Sequence, residues 1–185
     1  PNFQADVNKD LADVLGNFVS RVTKFCRSKF GEVVPSGGQF GQREKHLIDN
    51  LQARLEAYQS HMETIEIRKS ASELRAIWVL GNEYLQSAEP WAVFKTDPDA
   101  AAAIVRMSLN LIALYAQLSE PFIPDAAEVL RVAMGQQEKQ WPNLIEDALK
   151  ECKPGDPFTV PDNLFNKITD EHCEIWSEKF SGIRD

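Results

Sequence analysis

The chain of 185 residues has no run of eighteen apolar residues and no charged, apolar, small-residue leader at its start. Neither a membrane span nor a secretory signal is therefore expected, and the protein reads as soluble and cytoplasmic. Cysteine is scarce. Cys26, Cys152 and Cys173 are odd in number, far apart and outside any C-x-x-C pair, which argues against a disulfide framework and against a zinc knuckle. The three histidines, His46, His61 and His172, show no His-x-x-x-His or His-Glu spacing, so no metal site is expected. An excess of basic charge is also missing. Lys and Arg number 20 against 28 Asp and Glu, a formal net charge of −8, which disfavours gripping nucleic acid along a broad basic surface.

What is present is apolar content of 43%, enough for one well-filled core in a chain of this length. The chain begins at Pro1 and enters a helical pattern within a few residues, as a domain cut from a longer polypeptide would. Its charge is uneven. Residues 1–45 carry seven Lys/Arg against five Asp/Glu, and the rest carry thirteen against twenty-three. A polyanion is expected at the first helix, not at the tail.

From Val7 to Phe30, the residues Val7, Leu11, Val14, Leu15, Phe18, Val22, Phe25 and Phe30 recur at helical spacing, and Gly31 ends the run. PSGGQFGQ (35–42) reads as a loop. Leu47, Leu51, Leu55, Tyr58, Met62 and Ile65 mark a second helix. A third, from about Glu66 to Ser87, must stop near Glu89, because Pro90 disfavours helical backbone in the residue before it. Asp97 and Pro98 read as N-cap and first position of a fourth helix, running to about Ser119 and apolar on most sides. Pro124 and Asp125 open a fifth helix to Gly135. Trp141 to Lys150 could give a short sixth, and a turn-rich segment then leads to a last helical turn or two around residues 169–184. No strands or fixed-period repeats stand out. The pattern is an all-α bundle of five to six helices, with residues 1–150 as the bundle and 151–185 as a tail.

Catalytic chemistry finds little support. The glycines of SGGQFG lack the Lys-Ser or Lys-Thr that completes a phosphate loop. EHCE (171–174) gathers two carboxylates, a histidine and a thiol, but in a polar tail it reads as a solvated helix face, and a helical enzyme built on it is the weakest alternative. Recognition finds more. Asp13, Asn17, Arg21, Lys24 and Ser28 recur at steps of four and three and form one polar stripe on the first helix. A solvated face is the ordinary meaning of such a stripe, but an amide at 17 and a guanidinium at 21 can together hydrogen-bond base edges. Trp78 and Trp176 read as core. Trp91, held by Pro90 where a helix has just ended, reads as a ring that projects, the kind of face on which an unpaired base stacks. The alternative is a helical protein-interaction module with Trp91 and Arg21 as interface anchors.

These residues resemble the helical anticodon-binding domains of the methionyl-tRNA synthetases, class I aminoacyl-tRNA synthetases. LGNFVSR (15–21) resembles the family's first helix of that domain, and NEYLQSAEPWAVFK (82–95) its Asn-x-Tyr followed by Pro-Trp and a lysine. MSLNLIALYAQLSEPFIP (107–124) and LFNKI (164–168) continue the likeness. The resemblance implies that Asn17 and Arg21 read anticodon bases of the methionine tRNA, and that Trp91 stacks on the wobble cytosine with Pro90 fixing its place. Asp13, one turn before Asn17 and an asparagine in some members, would be a further anticodon-binding position, where a carboxylate can accept from a cytosine amino group but repels phosphate. It implies no catalytic residue and no cofactor here, since His-Ile-Gly-His-like and Lys-Met-Ser-Lys-Ser-like segments are missing. The parent enzyme would attach methionine to its tRNA using ATP with Mg, and could carry a structural Zn. The tail would pack back toward the catalytic domain of the same chain. No DNA and no membrane partner is implied.

Overall fold

The structure, a computed structural model, describes residues 2–137 and 141–182. The first helical rod has three parts: α1 (Asn2–Asp6), a wide-turn stretch (Val7–Gly16) and α2 (Asn17–Phe30). The backbone stays right-handed helical through Asp6, Gly16 and Asn17, so the rod is continuous. In the middle part the hydrogen bonds reach five residues back, as from the Asn17 amide to the Ala12 carbonyl, a register usually confined to a single turn and frequent at functional sites. Gly31, at φ 87°, ends the rod where a side chain would be strained.

α3 (Gln42–Glu63) and α4 (Ile67–Ala88) form a tight hairpin, α5 (Pro90–Val93) is a single turn, and α6 (Pro98–Ser119) follows. α6 starts where Asp97 and Pro98 predict, with the Asp97 carboxylate accepting the Ala100 N–H at 2.9 Å. It is long and apolar enough to cross a membrane, but its most apolar window is 94% buried within the protein. It is the central rod of the core. Gly81 of α4 leaves room for a side chain of this rod: a built Cβ would fall 1.8 Å from the Tyr115 hydroxyl, and 3.4 Å from Phe18 of α2.

α7 (Pro124–Ala133), a single turn α8 (Ile145–Ala148) and α9 (Asp170–Phe180) complete the chain. Among the described residues there is no strand beyond an isolated antiparallel bridge from Val33 to Pro157. The expected sixth helix over 141–150 shrinks to α8. Leu144 is extended, and the Ile145 N–H is held by the Gln52 side chain at 3.0 Å, so the helix starts late. The last helix is longer than a turn or two, because Thr169 and His172 form a reciprocal cap. Its expected end at residues 183–184 lies outside the described residues. The tail returns along the first rod: Asn8 bonds both the Ile168 N–H (2.7 Å) and its carbonyl (2.9 Å), and Gln4 donates to Asp170.

The buried thiols and phenols carry a pH consequence. Burial pushes Cys26 from 9.0 up to about 12, pushes Cys152 up to about 12, and raises the Tyr84 phenol further. A group whose folded pKa lies above its unfolded value stabilises fully below the unfolded value and ceases to do so as pH climbs to the folded one. Thermal melts are therefore expected to give a level Tm from pH 7 to 8 and a steady fall from about pH 9 to 11. A Tm unchanged at pH 11 would show that these groups ionise inside the fold without cost.

Candidate nucleic-acid interface

The stripe on the first rod is solvent-facing as its spacing predicts: Asp13, Asn17, Arg21, Lys24 and Ser28 are all exposed. α5 sits beside it. The Arg21 guanidinium lies over the Trp91 ring, 4.6 Å from its centroid, so two segments distant in sequence meet at one place. Trp91 also makes a T-shaped contact with Phe25, with centroids 6.5 Å apart at 87°.

Trp91 departs from the sequence expectation in its setting. It does not project from a helix end but sits half-buried in α5, packed against the core. The cause is local. Glu89 adopts left-handed backbone (φ 43°, ψ 59°), which turns the chain, and Pro90 then serves as the first residue of a new helical turn. Pro90 is itself buried, which fixes the start of that turn. The indole is part-exposed, and the exposed Arg21 side chain lies over its ring. An exposed contact of this kind is worth about 0.5–1 kcal/mol, little enough for a flat ligand to displace it.

Electrostatics favour an anion or an electron-rich base edge here. Arg21, Lys24, Arg27 and Lys29 line the exposed face of α2, and Lys95 follows α5. Arg27 pairs loosely with Glu32 at 3.8 Å. Asp13 carries the opposite sign, but its carboxylate is engaged by Lys167 of the tail at 2.7 Å. From Asn17 onward the stripe is neutral or positive.

Sequence reasoning missed the residues that hold this surface in place. Asn82 donates to the Val14 carbonyl at 3.2 Å and to the Trp78 carbonyl at 3.0 Å, tying α4 to the rod one turn before Asn17. Arg75 adds an ion pair to Asp10 at 2.7 Å. Tyr84 donates to buried Glu44 at 2.8 Å, and Glu44 accepts the Gly41 N–H at 2.7 Å, fastening α4 to the start of α3. The available signal was the Asn-x-Tyr of NEYLQSAEPWAVFK, whose two side chains point to different neighbours.

Other groups singled out from sequence do not converge. The carbonyls of Pro35, Gly37 and Gly38 accept from Arg106 at 2.9, 2.8 and 3.2 Å. A phosphate cradle needs N–H groups turned inward, and this loop turns carbonyls inward. In EHCE, the His172 ring stacks on Trp176 and its Nδ1 accepts the Thr169 N–H. Among the described residues, no three His, Cys, Asp or Glu side chains gather as a metal site.

The fold places the chain in a class. It is the helical bundle found in two crystal structures of Mycobacterium tuberculosis methionyl-tRNA synthetase. The apo form superposes with a TM-score of 0.79 at 20% identity, over 90% of this chain and 34% of that one. The form bound to methionyl-adenylate gives 0.71 at 23%, over 88% and 32%. At sequence level, the profile for the anticodon binding domain of methionyl tRNA ligase matches residues 34–185, and the chain belongs to that family. Methionine–tRNA ligases of Dinoroseobacter shibae and Jannaschia sp. are 61% and 63% identical over 184 and 183 residues, respectively 100% and 99% of this chain. The chain spans 32% of the length of each.

Proposed function

We propose that this domain reads the anticodon loop of a methionine tRNA on the surface shared by α2 and α5. It would do so within a longer ligase that attaches methionine to that tRNA using ATP with Mg. The observation that carries the reading is the Arg21 guanidinium lying on the Trp91 ring beside exposed Asn17. An unpaired base entering there slides against the indole and moves the guanidinium to its own edge. Stacking supplies affinity with little sequence preference, on the order of 1–3 kcal/mol per base. The Arg21 donors and the Asn17 amide, one helical turn apart, then meet the base edges that tell cytosine from uracil.

Pro90 fixes the turn that presents Trp91. Asp13 stands at the edge of the same face and can accept from a cytosine amino group once Lys167 releases it. The net charge of −8 is compatible with this role, since a loop engages only a few phosphates and the local field around α2 is positive. The cytoplasm, where such a ligase would meet its tRNA, is the location that follows.

The tail, residues 151–185, fits a second contact. It returns to the start of the rod, and on α9 Ile175, Phe180 and, contrary to its reading as core, Trp176 are exposed. This apolar surface suits the catalytic domain of the same chain, and the missing two thirds of the relatives' length would supply it.

The reading is tested by discrimination. Arg21→Ala is expected to cut the preference for a wobble cytosine over uracil in an anticodon stem-loop by roughly 5- to 100-fold, the value of one to two base-edge contacts. It should leave the Tm nearly unchanged, because Arg21 is exposed. An unaltered cytosine preference would remove Arg21 from recognition.

A further inference from the structure

The aromatic contacts do not end at Trp91. Phe25 makes its T-shaped contact with Trp91 and also meets Phe94 at 6.2 Å and 88°, and Phe94 meets Phe30 at 5.3 Å and 89°. Four rings thus run in one row along the junction of α2 and α5. Two of them carry a cation above the ring: Arg21 over Trp91 at 4.6 Å, and Lys29 over Phe94 at 5.6 Å. Both cations are exposed and both rings are half-buried. Trp91 and Phe94 stand three residues apart on one turn of helix, so they lie on the same side of it. Each ring meets neighbouring aromatics at nearly a right angle, and each has an exposed, flexible basic side chain over it.

Resting on the anticodon-loop reading, we propose that Phe94, with Lys29 above it, is a second stacking platform for an unpaired base of the same RNA loop, next to the base held on Trp91. The chemistry repeats that of the first site with a difference. Phenylalanine offers a face and no hydrogen bond, so it takes any base. Lysine is a compact, strongly hydrated point charge without a planar fork, which suits a phosphate oxygen rather than a base edge. Lys29 would move from the ring to the phosphate joining the two stacked nucleotides. One platform would then read and the other would hold the loop open beside it.

The test titrates the 185-residue chain with an anticodon stem-loop of the methionine tRNA and with versions made abasic at each loop position in turn. Phe94→Leu, which keeps apolar contact with Phe25 and Phe30, is expected to bind the intact loop about 5- to 50-fold more weakly. That loss should vanish for one abasic loop only, a different one from the loop that silences Trp91→Ala. Phe94→Tyr, which restores a stacking face, should bind like the unmodified chain. Lys29→Gln should lower the slope of log K against log salt by about 0.7, the value for one neutralised phosphate on a single strand. If Phe94→Leu binds within twofold of the unmodified chain, or weakens every abasic loop equally, the second platform is refuted. Weak binding by Trp91→Ala in the same series would leave the anticodon reading standing. Were Trp91→Ala also without effect, the anticodon reading itself would fall.

Discussion

Trp91→Ala is expected to weaken binding of a methionine-tRNA anticodon stem-loop by roughly 10- to 100-fold, with helical content unchanged. The ring makes three kinds of contact: a T-shaped pair with Phe25 at 6.5 Å, the Arg21 guanidinium at 4.6 Å, and packing on the core through its half-buried side. Losing the face removes one stacked base, on the order of 1–3 kcal/mol. It also leaves Arg21 without the surface that orients it, so part of the edge recognition goes too. A fraction of the effect could come from loosened packing. Trp91→Leu separates the two, since leucine refills the apolar contact but gives no stacking face. Both variants should bind weakly, and only Trp91→Ala should show a lowered Tm. Full-strength binding by Trp91→Leu would show that the residue serves packing alone.

Gly81→Ala is expected to have the largest effect on stability, a net loss of up to about 2 kcal/mol. Alanine would gain about 1 kcal/mol of helix propensity over glycine, but its Cβ would lie 1.8 Å from the Tyr115 hydroxyl and 3.1 Å from the ring carbon bearing it. Tyr115 is fully buried and cannot swing aside. Overpacking of this kind costs 1–3 kcal/mol and sometimes more. For a domain of this size the Tm should fall by up to about 8 °C. The effect should reach the interface as well, because the same glycine faces Phe18, the neighbour of Asn17 on α2. Adding Tyr115→Phe removes the nearest clashing atom and should recover part of the lost Tm. No recovery would place the strain in the helix pair rather than at the hydroxyl.

The long helices are legible because apolar residues recur at helical spacing and their ends carry Gly31 and the Asp97-Pro98 cap. The members of the proposed surface can be named from sequence too: Asn17 and Arg21 share a face by arithmetic, and Trp91 stands out after a proline. Their meeting is not legible, because it depends on Glu89 taking left-handed backbone, a choice settled by packing rather than by glutamate's own preference. The same holds for the wide-turn stretch. The spacing of Val7, Leu11, Val14 and Leu15 reads as ordinary helix, whereas partners far along the chain, Asn82 on the Val14 carbonyl and Arg75 on Asp10, hold the stretch from outside. Phe94 lay within the quoted segment and Phe25 within the apolar stripe, yet only their contact across α2 and α5 shows a row.

The central claim is that Trp91 holds one particular unpaired base. A double-mutant cycle tests it most directly, measuring the Kd of the unmodified chain and of Trp91→Ala for the intact stem-loop and for the loop made abasic at the wobble position. If the ring and that base touch, each single change weakens binding about 10- to 100-fold and the two together weaken it scarcely further, a coupling on the order of 1–3 kcal/mol. Losses that multiply, with no coupling, would contradict the account.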